Sequence, residues 1–403
     1  MNAASDKLLI LGAGLTGLSV AQLARGGTIL EREARPGGMA QSFQRDRYTF
    51  DFGGHYLHFQ DSEAERFFSP FLPVLENHQR ESFVLIGEEL LAYPIQHSFF
   101  QRFPLQTPSL PPHPPEPERS PNLAKHLQAT FGPFLWELFF KPYNTKLWKC
   151  PLETLQAGGA RRWIPPPPTV VPTPAEKAGY NATFGYPKIG GIGKMAANMA
   201  SGVRVLYGTP AEKIDRAKKL VITKGREFPY QKLISTIPLN ALLSLSDHPF
   251  PAPSPLGVSI LNIGFRGTLQ RPFSWIYIPH PSIPFFRVGR YPGGDEDRHG
   301  LYFEISFREE PPPATEVLLR HARSLLSLLG AQGEVETILR LNLPEAYPTP
   351  SLTLSGKLEG LFDSLKEDSI YPAGRMGSWQ YLSMADCYNE AKRSLLQAEI
   401  LKV

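Results

Sequence analysis

Three observations predict an α/β chain built around a Rossmann-like dinucleotide-binding unit. A near-continuous apolar run at residues 7–11 reads as a buried strand. Gly12, Gly14 and Gly17 follow it in GxGxxG spacing, and helical periodicity then runs through residues 18–23. A second strand at residues 28–30 ends on an acid, Glu31. Strand, glycine turn, helix, strand and acid in that order make one β-α-β unit at the start of the chain.

Each part of that unit has a physical reason. Gly12 permits the tight turn, Gly14 lets backbone approach a pyrophosphate, and Gly17 lets helix and strand pack closely. Leu15 and Thr16 open the helix, whose unpaired N–H groups and positive dipole end suit phosphates. Glu31, with Arg32 beside it, stands where an acid accepts hydrogen bonds from a ribose hydroxyl. A second glycine pair follows at once in Gly37-Gly38-Met39-Ala40, and a third in Gly53-Gly54-His55. Glycines at such places let backbone pass close to a flat ring system, where a side chain would clash. In this order they point to FAD rather than NAD.

The rest of the chain divides at its prolines. Residues 103–121 and 165–174 are Pro-rich and read as extended connectors. Between them, residues 123–147 carry Phe, Leu and Trp at helix-compatible spacing. Alternation over residues 205–235 predicts a strand meander, and over 258–307 a larger antiparallel sheet. Residues 316–329 and 390–400 read as helices. The expected organisation is a discontinuous FAD-binding domain (residues 1–78, 179–240 and 346–403), a mainly helical substrate-covering domain (79–178), and an antiparallel-sheet substrate domain (241–345).

Composition narrows the partners. Basic and acidic residues number 42 and 38 and are well mixed, for a net charge of +4, so nucleic acid is not expected as a partner. No run approaches the roughly 18 apolar residues of a membrane span. Cys150 and Cys387 sit in neither CxxC nor metal-ligand spacing, and no metal is expected. Two cysteines, and charges at Asp6 and Lys7 where a signal peptide would be apolar, fit a cytoplasmic protein.

Later segments carry a more specific signal. Lys141-Pro142-Tyr143-Asn144-Thr145-Lys146-Leu147-Trp148 resembles the PYNxKxW segment of the UDP-galactopyranose mutase family. Ala92-Tyr93-Pro94-Ile95-Gln96 and Asn181-Ala182-Thr183-Phe184 are similar to that family's YPxQ and NATF segments. Tyr347-Pro348-Thr349-Pro350 and Gly374-Arg375-Met376-Gly377-Ser378-Trp379-Gln380-Tyr381 complete the set, in family order across nearly the whole chain. The Glu31, Gly37-Gly38, Gly53-Gly54 and Gly374 frame is shared with the related amine and protoporphyrinogen oxidases.

The resemblance implies a mutase of UDP-hexoses that interconverts UDP-galactopyranose and UDP-galactofuranose and serves cell-surface polysaccharide biosynthesis. That reaction is non-redox overall and runs through a covalent adduct at N5 of reduced FAD, with NAD(P)H as an external reductant. It places the uracil near Tyr93 and Phe139, with Gln96, Asn144 and Trp148 nearby, and Asn181 facing the sugar. Arg287 becomes the diphosphate arginine, its planar fork suited to bidentate contact, with Tyr277, Tyr347 and Tyr381 as uncharged donors. His55 and Arg375 are set against the flavin, with Gly374 and Tyr381 in its seat, and His55 and Arg287 are the residues closest to the chemistry.

Two positions depart from the family pattern. A family arginine falls on Trp163, with Arg162 one residue away, and a family asparagine falls on Ala385. The alternative reading is an FAD-dependent oxidoreductase, amine or protoporphyrinogen oxidase-like, acting on a small molecule. A third is a catalytically inert flavoprotein that kept the fold.

Overall fold

The computed structural model describes residues 8–59, 61–102, 119–158, 164, 179, 181–354 and 356–402. The Pro-rich stretch 165–174 and Trp163 lie outside the described residues, as does nearly all of 103–121.

The N-terminal apolar run becomes β1 (Leu8–Leu11), the middle strand of a five-stranded parallel sheet. Its order is β19 (Ile370–Pro372), β13 (Lys232–Ser235), β1, β2 (Thr28–Leu30) and β9 (Arg204–Leu206). Period-two alternation decides which side each residue serves. Leu8 and Ile10 join a core with the helices Leu15–Ala24, Gly193–Ala200 and Asp386–Gln397. Leu9 and Leu11 join the opposite core, with Leu239–Leu245, Lys357–Glu367 and the antiparallel meander β10 (Ala211–Asp215), β11 (Leu220–Thr223) and β12 (Arg226–Pro229). A strand covered on both faces needs apolar residues throughout, as Leu-Leu-Ile-Leu provides.

A second sheet has seven strands, in the order β18 (Gln332–Tyr347), β14 (Leu256–Thr268), β17 (Arg298–Phe307), β16 (Arg287–Arg290), β15 (Trp275–Tyr277), β6 (Ser82–Ile86) and β7 (Glu89–Ala92). The helix Thr315–Leu328 covers one face through Leu318, Ala322 and Leu325. The hairpin of β3 (Ser42–Arg45) and β4 (Tyr48–Asp51) contributes Tyr48 and Phe50 to the other. β5 (Leu75–Gln79) pairs separately with β8 (Thr183–Pro187). Residues 82–92, expected in the helical unit, thus extend this seven-stranded sheet, β6 pairing in parallel with β15.

The helical stretch forms as expected but is not continuous. The helix Leu123–Leu135 is capped by the Asn122 carboxamide, which accepts from Lys125 N at 2.9 Å. It is interrupted at Gly132, φ 73°, followed by Pro133, and a π turn at Trp136–Phe140 leads into the helix Lys141–Trp148. Glycine followed by proline breaks helical pairing, and the π turn absorbs the shift. The last helix begins at Asp386, earlier than its apolar residues suggest, where Asp386 accepts from Ser383 N at 2.6 Å.

Among the described residues no helix is long and apolar enough to cross a membrane. None of them forms a group of three or more His, Cys, Asp or Glu able to hold a metal ion.

Candidate cofactor and substrate site

A cavity of about 930 Å³ opens over the carboxyl ends of β1 and β2. Gly12, Gly14, Leu15, Thr16, Glu31, Arg32, Gly37, Gly38, Met39 and Ala40 line it, with Gly374 and Arg375 on the far side. Gly12 sits at φ +94°, and a Cβ there would stand 2.7 Å from Thr236 Oγ1. A Cβ on Gly17 would fall on the Gly12 carbonyl, so Gly17 supports the turn without lining the cavity. Gly14 has open space beside it. The helix that follows has no side-chain cap and no acid in its first turn. Its N–H groups therefore face the cavity mouth uncompensated.

Glu31 is buried, and both its oxygens hold backbone. Oε2 accepts from Ala13 N at 2.6 Å and Oε1 from Glu33 N at 2.8 Å. The second glycine pair is tied to the first, Gly37 N donating to Ala13 O at 2.8 Å. Arg32 is mostly exposed and pairs with Glu33 at 3.1 Å. On the far side, Gly374 N donates to Glu390 Oε2 at 3.2 Å, and Arg375 donates twice to Leu382 O. A glycine cradle, an open helix N-terminus and a buried acid on the second strand fit an adenine-dinucleotide cofactor.

His55 stands where two cavities meet. It lines both this cavity and a second one of about 550 Å³, and its buried Nδ1 has no hydrogen-bond partner. Burial and the positive charges of Arg375 and Arg287 push its pKa down to about 3. The ring is thus neutral in the folded state. Because its folded pKa lies below the unfolded 6.5, the group costs stability as pH falls below 6.5, increasingly down to about 3. We expect the His55 ring resonances to stay constant between about pH 5 and 8 in NMR titration. A midpoint near the free value would show the imidazole to be solvated.

The second cavity brings together most of the remaining sequence-predicted residues. Tyr93, Phe139, Asn144, Trp148, Asn181, Tyr277, Arg287, Tyr347 and Tyr381 line it, along with Gly54 and Arg375. Helical spacing explains one wall: Phe139, Tyr143 and Leu147 form one i, i+4 row, and Phe140, Asn144 and Trp148 the next. Tyr143 stacks on Phe139 at 5.2 Å and meets Tyr277 edge-on at 5.3 Å, while Tyr93 lies 4.6 Å from Tyr277. Tyr347 stacks on Tyr381 at 5.1 Å, and the Arg375 guanidinium lies over both rings. Burial raises the pKa of Tyr143 and Tyr277, which keeps both hydroxyls neutral.

Three predicted roles are altered by the geometry. Gln96 is buried but does not line the cavity. Asn144 spends one amide hydrogen on Phe140 O at 2.7 Å, the price of anchoring it to its own helix. The Arg287 fork is already occupied, since Nε and Nη2 both donate to Glu304. Only Nη1 remains without a partner among the described residues, so bidentate contact along the Nε edge is closed to a phosphate. The ion pair holds the Arg287 pKa well above its ordinary value. Ala385 is the residue preceding the last helix.

Glu304, Tyr143 and the run Leu382-Ser383-Met384 line the cavity without having been singled out in the sequence. Glu304 had a visible signal, a lone acid inside the apolar run Leu301-Tyr302-Phe303-Glu304-Ile305. Arg80, the largest fully buried side chain, donates to Asn181 Oδ1 at 2.5 Å and to Tyr93 O at 3.1 Å. It fixes two lining residues from behind.

Comparison with known proteins agrees with this geometry. A family model described as an NAD(P)-binding Rossmann-like domain matches residues 10–71, and one described as flavin containing amine oxidoreductase matches 144–270. The chain is similar in structure to a reduced UDP-galactopyranose mutase, with TM-score 0.83 and 22% identity, covering 98% of this chain and 94% of that one. It is also similar to a putative protoporphyrinogen oxidase from Exiguobacterium sp. 255-15 (TM-score 0.75, 15% identity, 99% and 100% covered). A cyclohexylamine oxidase from Brevibacterium oxydans IH-35A gives TM-score 0.70 at 13% identity, with 98% and 99% covered. The fold is the one these proteins share, and the family matches support flavin binding of the amine-oxidoreductase type. Mutase and oxidases stand together among these likenesses, which share the fold and differ in the reaction.

Proposed function

We propose that the chain is an FAD-dependent nucleotide-sugar mutase of the UDP-galactopyranose/UDP-galactofuranose type. The observation that carries this reading is Arg287, a part-buried guanidinium with one free edge, set in a cavity between an aromatic wall and the His55 junction. A diphosphate needs such a cation together with uncharged donors, and Tyr277, Tyr347 and Tyr381 line the same cavity. The aromatic wall of Tyr93, Phe139 and Tyr143 suits a flat base. Asn144, with its Oδ1 uncommitted, can accept from a base N–H.

Gly12, Gly14, Glu31, Gly38, Gly374 and Arg375 would hold the FAD. Bound and reduced, it would supply the electron-rich nitrogen for attack on the anomeric carbon, with NAD(P)H as an external source of electrons. The chain's own residues then have limited tasks. Arg287 and the tyrosines stabilise the departing diphosphate and retain it for recapture. Neutral His55 would neither protonate nor repel a flavin held at the junction of the two cavities. Arg375, anchored on Leu382 O, keeps Tyr347 and Tyr381 in place.

The second reading, a flavin-dependent oxidoreductase, draws on the family match over residues 144–270. An apolar or amine substrate offers the free edge of Arg287 no anion, and this weighs against it. The deciding experiment is binding of UDP and UDP-galactose to the flavin-loaded protein, oxidised and dithionite-reduced, with product analysis. Pyranose–furanose conversion in the reduced form alone is expected. Absence of binding in both states, with oxygen consumed on an amine, would establish the oxidoreductase.

A further inference from the structure

Lys146 belongs to the segment that carries the resemblance, yet it does not line the substrate cavity. Its Nζ lies instead within hydrogen-bond distance of four backbone carbonyls, those of Ile278 at 2.7 Å, His280 at 2.5 Å, Ile283 at 2.9 Å and Phe285 at 3.2 Å, which share its three N–H groups. These belong to the connection between β15, which ends at Tyr277, and β16, which begins at Arg287. Pro279, Pro281 and Pro284 leave that connection short of N–H donors. Its own backbone bonds are correspondingly few, Ile278 N to Phe286 O at 2.9 Å and Ile283 N to His280 O at 3.4 Å. The carbonyls left over converge on one ammonium.

Lys146 makes no ion pair among the described residues. Burial and the neighbouring Lys149 push its pKa down to about 7; the carbonyl oxygens within reach of Nζ are the groups that oppose this and favour the charged form. Four carbonyl oxygens around one cation is the arrangement by which proteins hold a monovalent ion. Here the ion is tethered to the helix Lys141–Trp148, which forms the facing wall of the cavity.

We propose that Lys146 is a positioning residue, clamping the 278–286 connection so that Tyr277 and Arg287, at its two ends, are held for the diphosphate. The diphosphate part rests on the mutase reading; the clamp does not. Lys146→Ala, in the flavin-loaded chain, is expected to weaken UDP binding about tenfold or more. It should also speed amide exchange over residues 278–287. Methylammonium, which fits the vacated carbonyl ring, should reverse both effects, and tetramethylammonium at equal ionic strength should reverse neither. Lys146→Met, which fills the space without a charge, should not respond to methylammonium. Wild-type exchange over 278–287 in Lys146→Ala, or equal recovery with both cations, overturns the clamp. If the unsubstituted protein fails to bind UDP, the mutase reading fails, and loop exchange with methylammonium reversal still decides the clamp.

Discussion

Replacing Arg287 by alanine is expected to weaken UDP binding by about 2 kcal/mol or more, roughly thirtyfold, for a lost charge-assisted contact. The same change should also destabilise the fold, and the two effects have different origins. Glu304 is 3% exposed and both its oxygens hold the Arg287 guanidinium. Removing one partner of a buried pair leaves the other charge without compensation, at a cost of about 3–5 kcal/mol. Arg287→Ala/Glu304→Ala removes both charges and should recover most of that stability in thermal unfolding. It should recover only the part of the UDP affinity lost to repulsion by the bare Glu304 carboxylate, which lines the same cavity, and leave the rest missing in calorimetry. Wild-type affinity in the double variant would take Arg287 out of the phosphate role. Equal stability of the single and double variants would show that Glu304 left without its partner carries no desolvation cost.

That pair also marks where sequence reading stops. The cofactor seat was legible because it is nearly contiguous: one β-α-β unit carries Gly12, Gly14, Gly17 and Glu31, and each residue type has a local reason. The Arg287–Glu304 pair depends on register, since strand pairing of β16 with β17 places the two opposite each other. Glu304 carries the signal of a charge in an apolar run, but nothing local names its partner. The same holds for β6, whose parallel partner β15 lies about 190 residues later, a pairing with no short-range signal. Segment resemblance located Tyr93, Asn144 and Trp148 on the cavity wall, yet could not say which hydrogen bonds their side chains already spend. Gln96 shows the consequence, being in the right segment and behind the wall. Lys146 was visible as a letter in a pattern, and its task emerges only with the proline-rich connection folded against it.

Glu31→Ala is expected to yield protein that leaves gel filtration without its yellow absorbance. The backbone of Glu31 is fixed independently of its side chain, donating to Leu206 O at 3.0 Å and accepting from Thr209 N at 2.8 Å. Strand placement should therefore survive the substitution. What is lost is the carboxylate that accepts from Ala13 N and Glu33 N, and each orphaned buried donor costs about 1–3 kcal/mol. Ala13 lies between Gly12 and Gly14, so the glycine turn loosens at the point where the pyrophosphate must meet backbone. An acceptor for the ribose disappears in the same step. Glu31→Gln separates the two contributions, because the amide keeps one acceptor oxygen and turns an N–H toward the other donor. It should retain flavin more weakly than the unsubstituted chain and more strongly than Glu31→Ala. Full retention in Glu31→Ala would mean that the ribose is held elsewhere and that the turn is stable without its carboxylate.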